Sequence, residues 1–170
     1  MNIETDRLII SNLDLTDAPF IRDLLNTPGW LRFIGDRFVR NLQDAEKYLT
    51  NGPLKSYREN GFGLWKISLK GENVPIGMCG LLKRDILEHP DIGFAFLPAF
   101  IGKGYAKESV NAVLSAVYER YGIRVLKAIT NPDNTVSQQL LKSAGFAYEG
   151  KVTTKEGEEL NLYSKHIAHE

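Results

Sequence analysis

The chain has 170 residues, 43% of them hydrophobic and 25% charged, which fits one folded domain burying roughly two-thirds of its unfolded surface and excludes a disordered chain. Its 21 Lys and Arg balance 21 Asp and Glu, so no net charge draws it to nucleic acid or an anionic membrane. One cysteine, Cys79, and three scattered histidines, His89, His166 and His169, exclude an internal disulfide and offer no metal-ligand spacing.

The opening MNIETDRLII lacks the basic start and apolar core of a signal peptide. No apolar run approaches the ~18 residues of a membrane span. The expectation is a single domain over residues 1–170 in a reducing, cytoplasmic setting, without metal, nucleic-acid or membrane partner, as a monomer or homodimer.

In chain order, ETDRLIISNL predicts a strand with Leu8 and Ile10 on one face. Thr16 and Asp17 offer N-cap oxygens to a helix running to about Asn26, with Pro19 in its first turn. PGWL predicts a break. A helical pattern resumes from Leu42 to Tyr57, interrupted at Gly52-Pro53, with Gly61 as its C-cap. GLWKISLK and VPIGMCGLLKR predict a hairpin, in which Cys79 is an inert core thiol, and PDIGFAFL predicts a third strand. Val110, Val113, Leu114, Val117 and Tyr121 recur at helical spacing, and Gly122 ends that helix. RVLKAIT predicts a buried strand. NPDNTVSQQLLKSAGF predicts a helix capped by Asn134 and Gly145. AYEGKVTT and LNLYSKHI close the chain as a hairpin. The sum is an α/β (α+β) domain with a mixed, mostly antiparallel sheet of about seven strands and about four helices.

One loop calls for an explanation. Gly102, Lys103 and Gly104 stand just before the helix that begins near Ala106. A helix N-terminus carries unpaired N–H groups and about half a positive charge. Two glycines and a small alanine allow those groups to curl around a phosphate, and Lys103 either adds charge there or points to solvent. Alternatively, the glycines only make a tight strand–helix turn. The P-loop pattern fails, because position 97 is Leu and Gly104 stands where Ser or Thr belongs. The dinucleotide fingerprint fails because Lys107 replaces its third glycine.

DIGFAFLPAFIGKGYAKESV resembles the acetyl-CoA signature of the GNAT acetyltransferases, and NPDNTVSQQLLKSAGF resembles their following motif. The order of elements matches that fold over nearly the whole chain. IETDRLIISNL resembles the branch of ribosomal-protein N-terminal (RimJ/RimL-like) acetyltransferases. The resemblance implies an acetyl-CoA-dependent N-acetyltransferase whose acceptor is a protein N-terminus or a small amine. It implies that Ile101, Gly102, Lys103, Gly104, Tyr105 and Ala106 hold the pyrophosphate of coenzyme A. Phe94, Phe96 and Leu97 would bond the pantetheine arm through their main chain, where the strand splays from its neighbour. A backbone N–H near Phe96 would serve the oxyanion. Asn134 would both cap its helix and touch the cofactor.

The chemistry also requires a proton donor for the leaving sulfur and an acceptor for the amine proton. Many family members carry Tyr seven residues after the motif's Asn; here that position is Leu141. Ser137 is the substitute that the ribosomal branch suggests. Asp91 and Glu149 are candidate bases, with Glu88 and His89 nearby; Tyr163 is assigned to packing. The segment from Pro28 to Gly61 would wall the acceptor side; its aromatics Trp30, Phe33, Phe38 and Tyr57 read as core packing first and as a substrate slot second. The missing Tyr leaves a second possibility, a non-catalytic acyl-CoA-binding module. A nucleotide-binding regulatory domain is a third.

Overall fold

The computed structural model describes residues 1–167, which places His169 outside the described part. The strands are β1 (Asn2–Glu4), β2 (Leu8–Ser11), β3 (Leu64–Leu69), β4 (Pro75–Leu82), β5 (Asp91–Phe96), β6 (Val125–Thr130), β7 (Ala147–Thr153) and β8 (Glu159–His166). They form one sheet in the order β1-β2-β3-β4-β5-β6-β8-β7. Every neighbouring pair is antiparallel except β5 and β6. The fold class expected from the sequence is the one found. The described residues hold eight strands rather than seven because the first predicted strand folds back on itself. Thr5 donates its N–H to the Leu8 carbonyl at 2.9 Å, and its Oγ1 accepts the Leu8 N–H at 3.0 Å, closing a turn at Asp6-Arg7.

The helices are α1 (Ala18–Leu25), α2 (Pro28–Phe33), α3 (Leu42–Leu49), α4 (Lys55–Asn60), α5 (Tyr105–Tyr121) and α6 (Thr135–Ser143). Asp14, not Thr16, caps the 3-10 turn Leu15–Asp17 that leads into α1: its carboxylate accepts the Thr16 N–H at 2.8 Å, while Asp17 reaches back to the Asp14 N–H at 2.9 Å; Asp17 holds the N-cap position of α1 without a side-chain bond into it. PGWL does not break the chain. Thr27 Oγ1 accepts the Trp30 N–H, and Pro28 occupies the first helical position, where its missing donor is no loss. The interruption at Gly52-Pro53 is a π turn over Thr50–Leu54 that joins α3 to α4. Gly61, Gly122 and Gly145 all take left-handed angles just past a helix, as their positions in the sequence imply.

Adjacent residues of β4 face opposite ways, so Met78 and Cys79 belong to different clusters. Met78 packs with α1, α3 and Trp30. Cys79 packs with Trp65, Ile67, Ile92 and the Val110, Val113 and Val117 stripe of α5. Burial pushes the Cys79 thiol well up, which keeps it protonated and inert. No helix among the described residues is long and apolar enough to cross a membrane.

Candidate active site

The site begins with a defect in the sheet. Parallel strands β5 and β6 meet at one ladder pair, Asp91 with Lys127, where the Lys127 N–H reaches the Pro90 carbonyl at 2.9 Å. Beyond it β5 stays with β4 while β6 continues with β8. Main-chain groups alternate sides along a strand. Leu97 donates to the Ile76 carbonyl at 2.9 Å, on the β4 side. Phe94 and Phe96, out of step with it, therefore direct N–H and C=O into the gap. Leu97 itself is used up within the protein, since its carbonyl also accepts the Phe100 N–H at 2.9 Å. It does not line the cleft of about 1400 Å³ that opens here.

At the end of β5 a 3-10 turn, Pro98–Phe100, leads into the glycine loop. Gly102 and Gly104 have φ of 80° and 84°, angles that L side chains rarely adopt. Gly104 takes the N-cap position of α5 without a side-chain cap. The first bond into the helix runs from the Glu108 N–H to the Gly104 carbonyl at 3.1 Å. The preceding N–H groups of Tyr105, Ala106 and Lys107 are thus the unpaired donors of a 17-residue helix. Ile101, Gly102, Gly104, Tyr105 and Ala106 line the cleft, and a Cβ built on Gly102 would have nothing within 4 Å. This cradle of bare donors fits a pyrophosphate. Lys103 does not line it; its Nζ lies 5.9 Å from the centre of the Phe100 ring.

The loop is braced from the far edge of the sheet by Arg7, a residue that the sequence did not single out. Its Nε meets Glu108 Oε1 at 2.7 Å, its Nη1 donates to the Lys103 carbonyl at 2.9 Å, and its guanidinium stacks 4.3 Å from the centre of the Tyr105 ring. Burial raises the Glu108 carboxyl, but hydrogen bonds from Thr5 and Arg7 outweigh that and hold it below its ordinary value. We expect Arg7→Ala to weaken coenzyme A binding by about tenfold, roughly 1.4 kcal/mol, with kcat at saturation nearly unchanged. Arg7→Lys should restore little, because an ammonium cannot make the fork and the stack together. Calorimetry with coenzyme A checks both.

Across the gap, Asn134 caps α6 as its position implies, Oδ1 accepting the Ser137 N–H at 3.2 Å. Both residues line the cleft, and Leu141 lies on the same helix face one turn further on, fully buried. The Ser137 hydroxyl has no hydrogen-bond partner among the described residues. Asp91 also lines the cleft and is 1% exposed, with both oxygens 3.1 Å from Arg84 Nε. Burial pushes its carboxyl up to about 6, and the opposing pull of Arg84 does not cancel it. Glu149 stands elsewhere. It lies on β7, outside the cleft lining, with its carboxylate held by Lys127 Nζ at 2.7 and 3.0 Å. Glu88 and His89 do not line the cleft either, and the Tyr163 hydroxyl is spent on Gln138 at 3.1 Å.

On the remaining wall, Trp30 and Phe33 line the cleft. Tyr57 does not: its hydroxyl bonds the Leu13 N–H and the Leu64 carbonyl inside the protein. Phe38 is 74% exposed and also lies outside the lining. The tyrosine on this wall is Tyr48, on α3, which the helical pattern alone could not tell from a core residue. No group of three or more His, Cys, Asp or Glu among the described residues is placed to hold a metal.

The sequence and the fold resemble those of known proteins. The chain is 25% identical over 150 residues to the uncharacterized N-acetyltransferase YnaD of Bacillus subtilis, covering 88% of this chain and 85% of that one. Its fold matches an acetyltransferase from Agrobacterium tumefaciens with a TM-score of 0.83 at 21% identity, over 98% of this chain and 94% of that one. It also matches RimL, a ribosomal L7/L12 alpha-N-protein acetyltransferase solved in complex with coenzyme A, with a TM-score of 0.77 at 19% identity over 96% of each chain. The family model of the acetyltransferase (GNAT) domain spans residues 7–147, from the Arg7 brace through both helix starts, and the chain belongs to that family.

Proposed function

We propose that the protein transfers acetyl from acetyl-CoA to a primary amine by direct attack, both substrates being bound together in the cleft. The observation that carries this is the gap beyond the Asp91–Lys127 pair, which points the main chain of Phe94 and Phe96 at a cleft ending in the glycine loop. In this proposal the donors of Gly102 to Ala106 hold the pyrophosphate, and Phe94 and Phe96 bond the pantetheine arm. The Phe96 N–H faces the oxygen that gains charge as the amine adds to the thioester. Asn134 steadies the donor from α6.

Asp91 takes the amine proton. With its carboxyl near 6 it is mostly ionised at neutral pH, yet a better proton acceptor than an exposed aspartate. Such a base suits an α-amine. At pH 7.5 roughly a third of α-amino groups are already neutral, against about one lysine in a thousand. The RimL neighbour's name describes α-amino chemistry on a ribosomal protein, which is consistent with an acceptor of that kind.

Ser137 relays a proton to the departing sulfur, its hydroxyl taking one from solvent in the cleft as it gives its own, and that hydroxyl has no competing partner among the described residues. Ser137→Ala should lower kcat by roughly tenfold to a thousandfold while leaving coenzyme A affinity unchanged. Turnover equal to that of the parent at saturating substrate would remove Ser137 from the mechanism. The proposal as a whole is tested by thiol release from acetyl-CoA over a panel of peptides and small amines. Coenzyme A binding without release for any amine would instead support a sensor.

A further inference from the structure

The wall built by α2, α3 and the chain just past β4 carries polar groups for which acetyl transfer, as described, has no use. Trp30 is 6% exposed and lines the cleft, and its indole Nε1–H is shielded from water without an acceptor among the described residues. Buried donors in folded proteins nearly always have partners, so one without an acceptor on a residue that lines a cleft fits an oxygen brought by a ligand, reached by a small shift of the side chains that cover it. Trp30 comes from α2, Tyr48 from α3, Arg37 from the loop between them and Arg84 from the loop just after β4, and all four line the cleft.

Their chemistry is of one kind. Burial pushes the Tyr48 phenol up to about 12 against the pull of Arg37 and Arg84, so it remains a donor at neutral pH and both arginines bear on it. No hydrogen bond within the described residues uses that hydroxyl. Arg37 is exposed and in no ion pair among the described residues. Arg84 holds Asp91 through Nε, which leaves its terminal nitrogens. The nearby acids are engaged: Asp36 pairs with Arg40, Asp85 with Lys155 and Asp91 with Arg84. Glu156 and Glu158 reach the cleft from the β7–β8 turn, where Lys155, next to Glu156, also lines it. An indole N–H, a phenol and two guanidinium groups form a donor-rich, cationic surface.

We propose that Trp30, Arg37, Tyr48 and Arg84 form a carboxylate-binding subsite, so that the acceptor amine is carried on a molecule that also bears a carboxylate. This rests on the acetyltransferase proposal above for the amine itself. Asp91 and Arg84 are in direct contact, so proton acceptor and carboxylate donors adjoin. An amine a few bonds from a carboxylate spans them. Two sources share this chemistry: a free amino acid, or a peptide with an acidic residue next to its N-terminus.

The test compares thiol release from acetyl-CoA with each of the twenty common amino acids and its amide. A tetrapeptide amide with aspartate second is compared with its asparagine twin. Amidation lowers the pKa of the neighbouring amine, so chemistry alone favours the amide. The expected result is at least a tenfold preference in kcat/KM for the carboxylate-bearing member of one series, the series identifying the source. Arg37→Gln and Trp30→Phe should erase most of that preference by raising the acceptor KM, with the KM for acetyl-CoA unchanged. Arg37 is exposed, so its replacement leaves the core intact if Trp30→Phe does not fold. Amides and the asparagine peptide as good as their acidic twins would overturn the subsite. If no amine releases thiol, the acetyltransferase proposal fails separately. The same acids and amides are then titrated calorimetrically into the protein–coenzyme A complex. Carboxylate-dependent binding lost in Arg37→Gln supports the subsite, and its absence overturns it.

Discussion

Gly104→Val is expected to cut coenzyme A affinity by about 100-fold, roughly 2.7 kcal/mol, in a protein that still folds. Two effects combine. Position 104 has φ of 84°, where a β-branched residue is strained by about 1–3 kcal/mol. A Cβ there would also lie 3.2 Å from Arg7 Nη2, the side chain that braces the loop. The contact is relieved when Arg7 shifts off its brace, and the strain only when the loop changes the angle of its N–H groups; both disturb what binding needs. Gly102→Ala separates the two effects: φ is 80° but nothing lies within 4 Å of the added Cβ, so strain acts alone and the loss should be smaller. Calorimetry measures affinity and circular dichroism the fold. An unchanged affinity in folded Gly104→Val would remove the phosphate assignment.

The pH dependence should follow Asp91. Burial raises its folded pKa to about 6 from an ordinary 3.8, despite Arg84. The carboxylate that accepts a proton therefore appears as pH rises through about 6, and kcat/KM should climb over that interval. Asp91→Asn should lower kcat/KM by about 100- to 10,000-fold and abolish that limb. Stability runs the other way. A raised carboxyl pKa means that the folded state holds the proton more tightly, so its contribution is fully present below about 3.8 and is lost as pH rises through about 6. In Asp91→Asn the fall in melting temperature between those pH values should be flatter. An acidic limb that survives the substitution would assign the base to another group.

The elements that were legible in the sequence are those whose ends are chemically local. Asn134 caps the helix it precedes, and Gly122 and Gly145 stop theirs, because the interactions span three or four residues. The glycine loop was legible for the same reason. Where meaning depends on distant partners, local pattern was silent. Arg7 and Glu108 are 101 residues apart, and nothing near Arg7 announces what it braces. Tyr48 and Tyr57 share one helical pattern, yet a π turn between them helps set one toward the cleft and the other into the core. Glu149 reads as an available carboxylate until the pairing of β6, β7 and β8 brings Lys127 beside it. Pro28 reads as a breaker unless Thr27 is recognised as the cap that makes it a helix start.

The strand gap leaves a signature along β5 that needs no substrate turnover to detect. Leu97 bonds Ile76, and in step with it the amides of Ala95 and Gly93 are held by β4. Those of Phe94 and Phe96 face the cleft. Deuterium uptake in the free protein should therefore alternate from one residue to the next within a single strand, fast at 94 and 96 and slow at 93, 95 and 97. Adding coenzyme A should slow the fast pair and leave their neighbours as they were. Uniform protection along β5 in the free protein would mean that the two strands close on each other in solution.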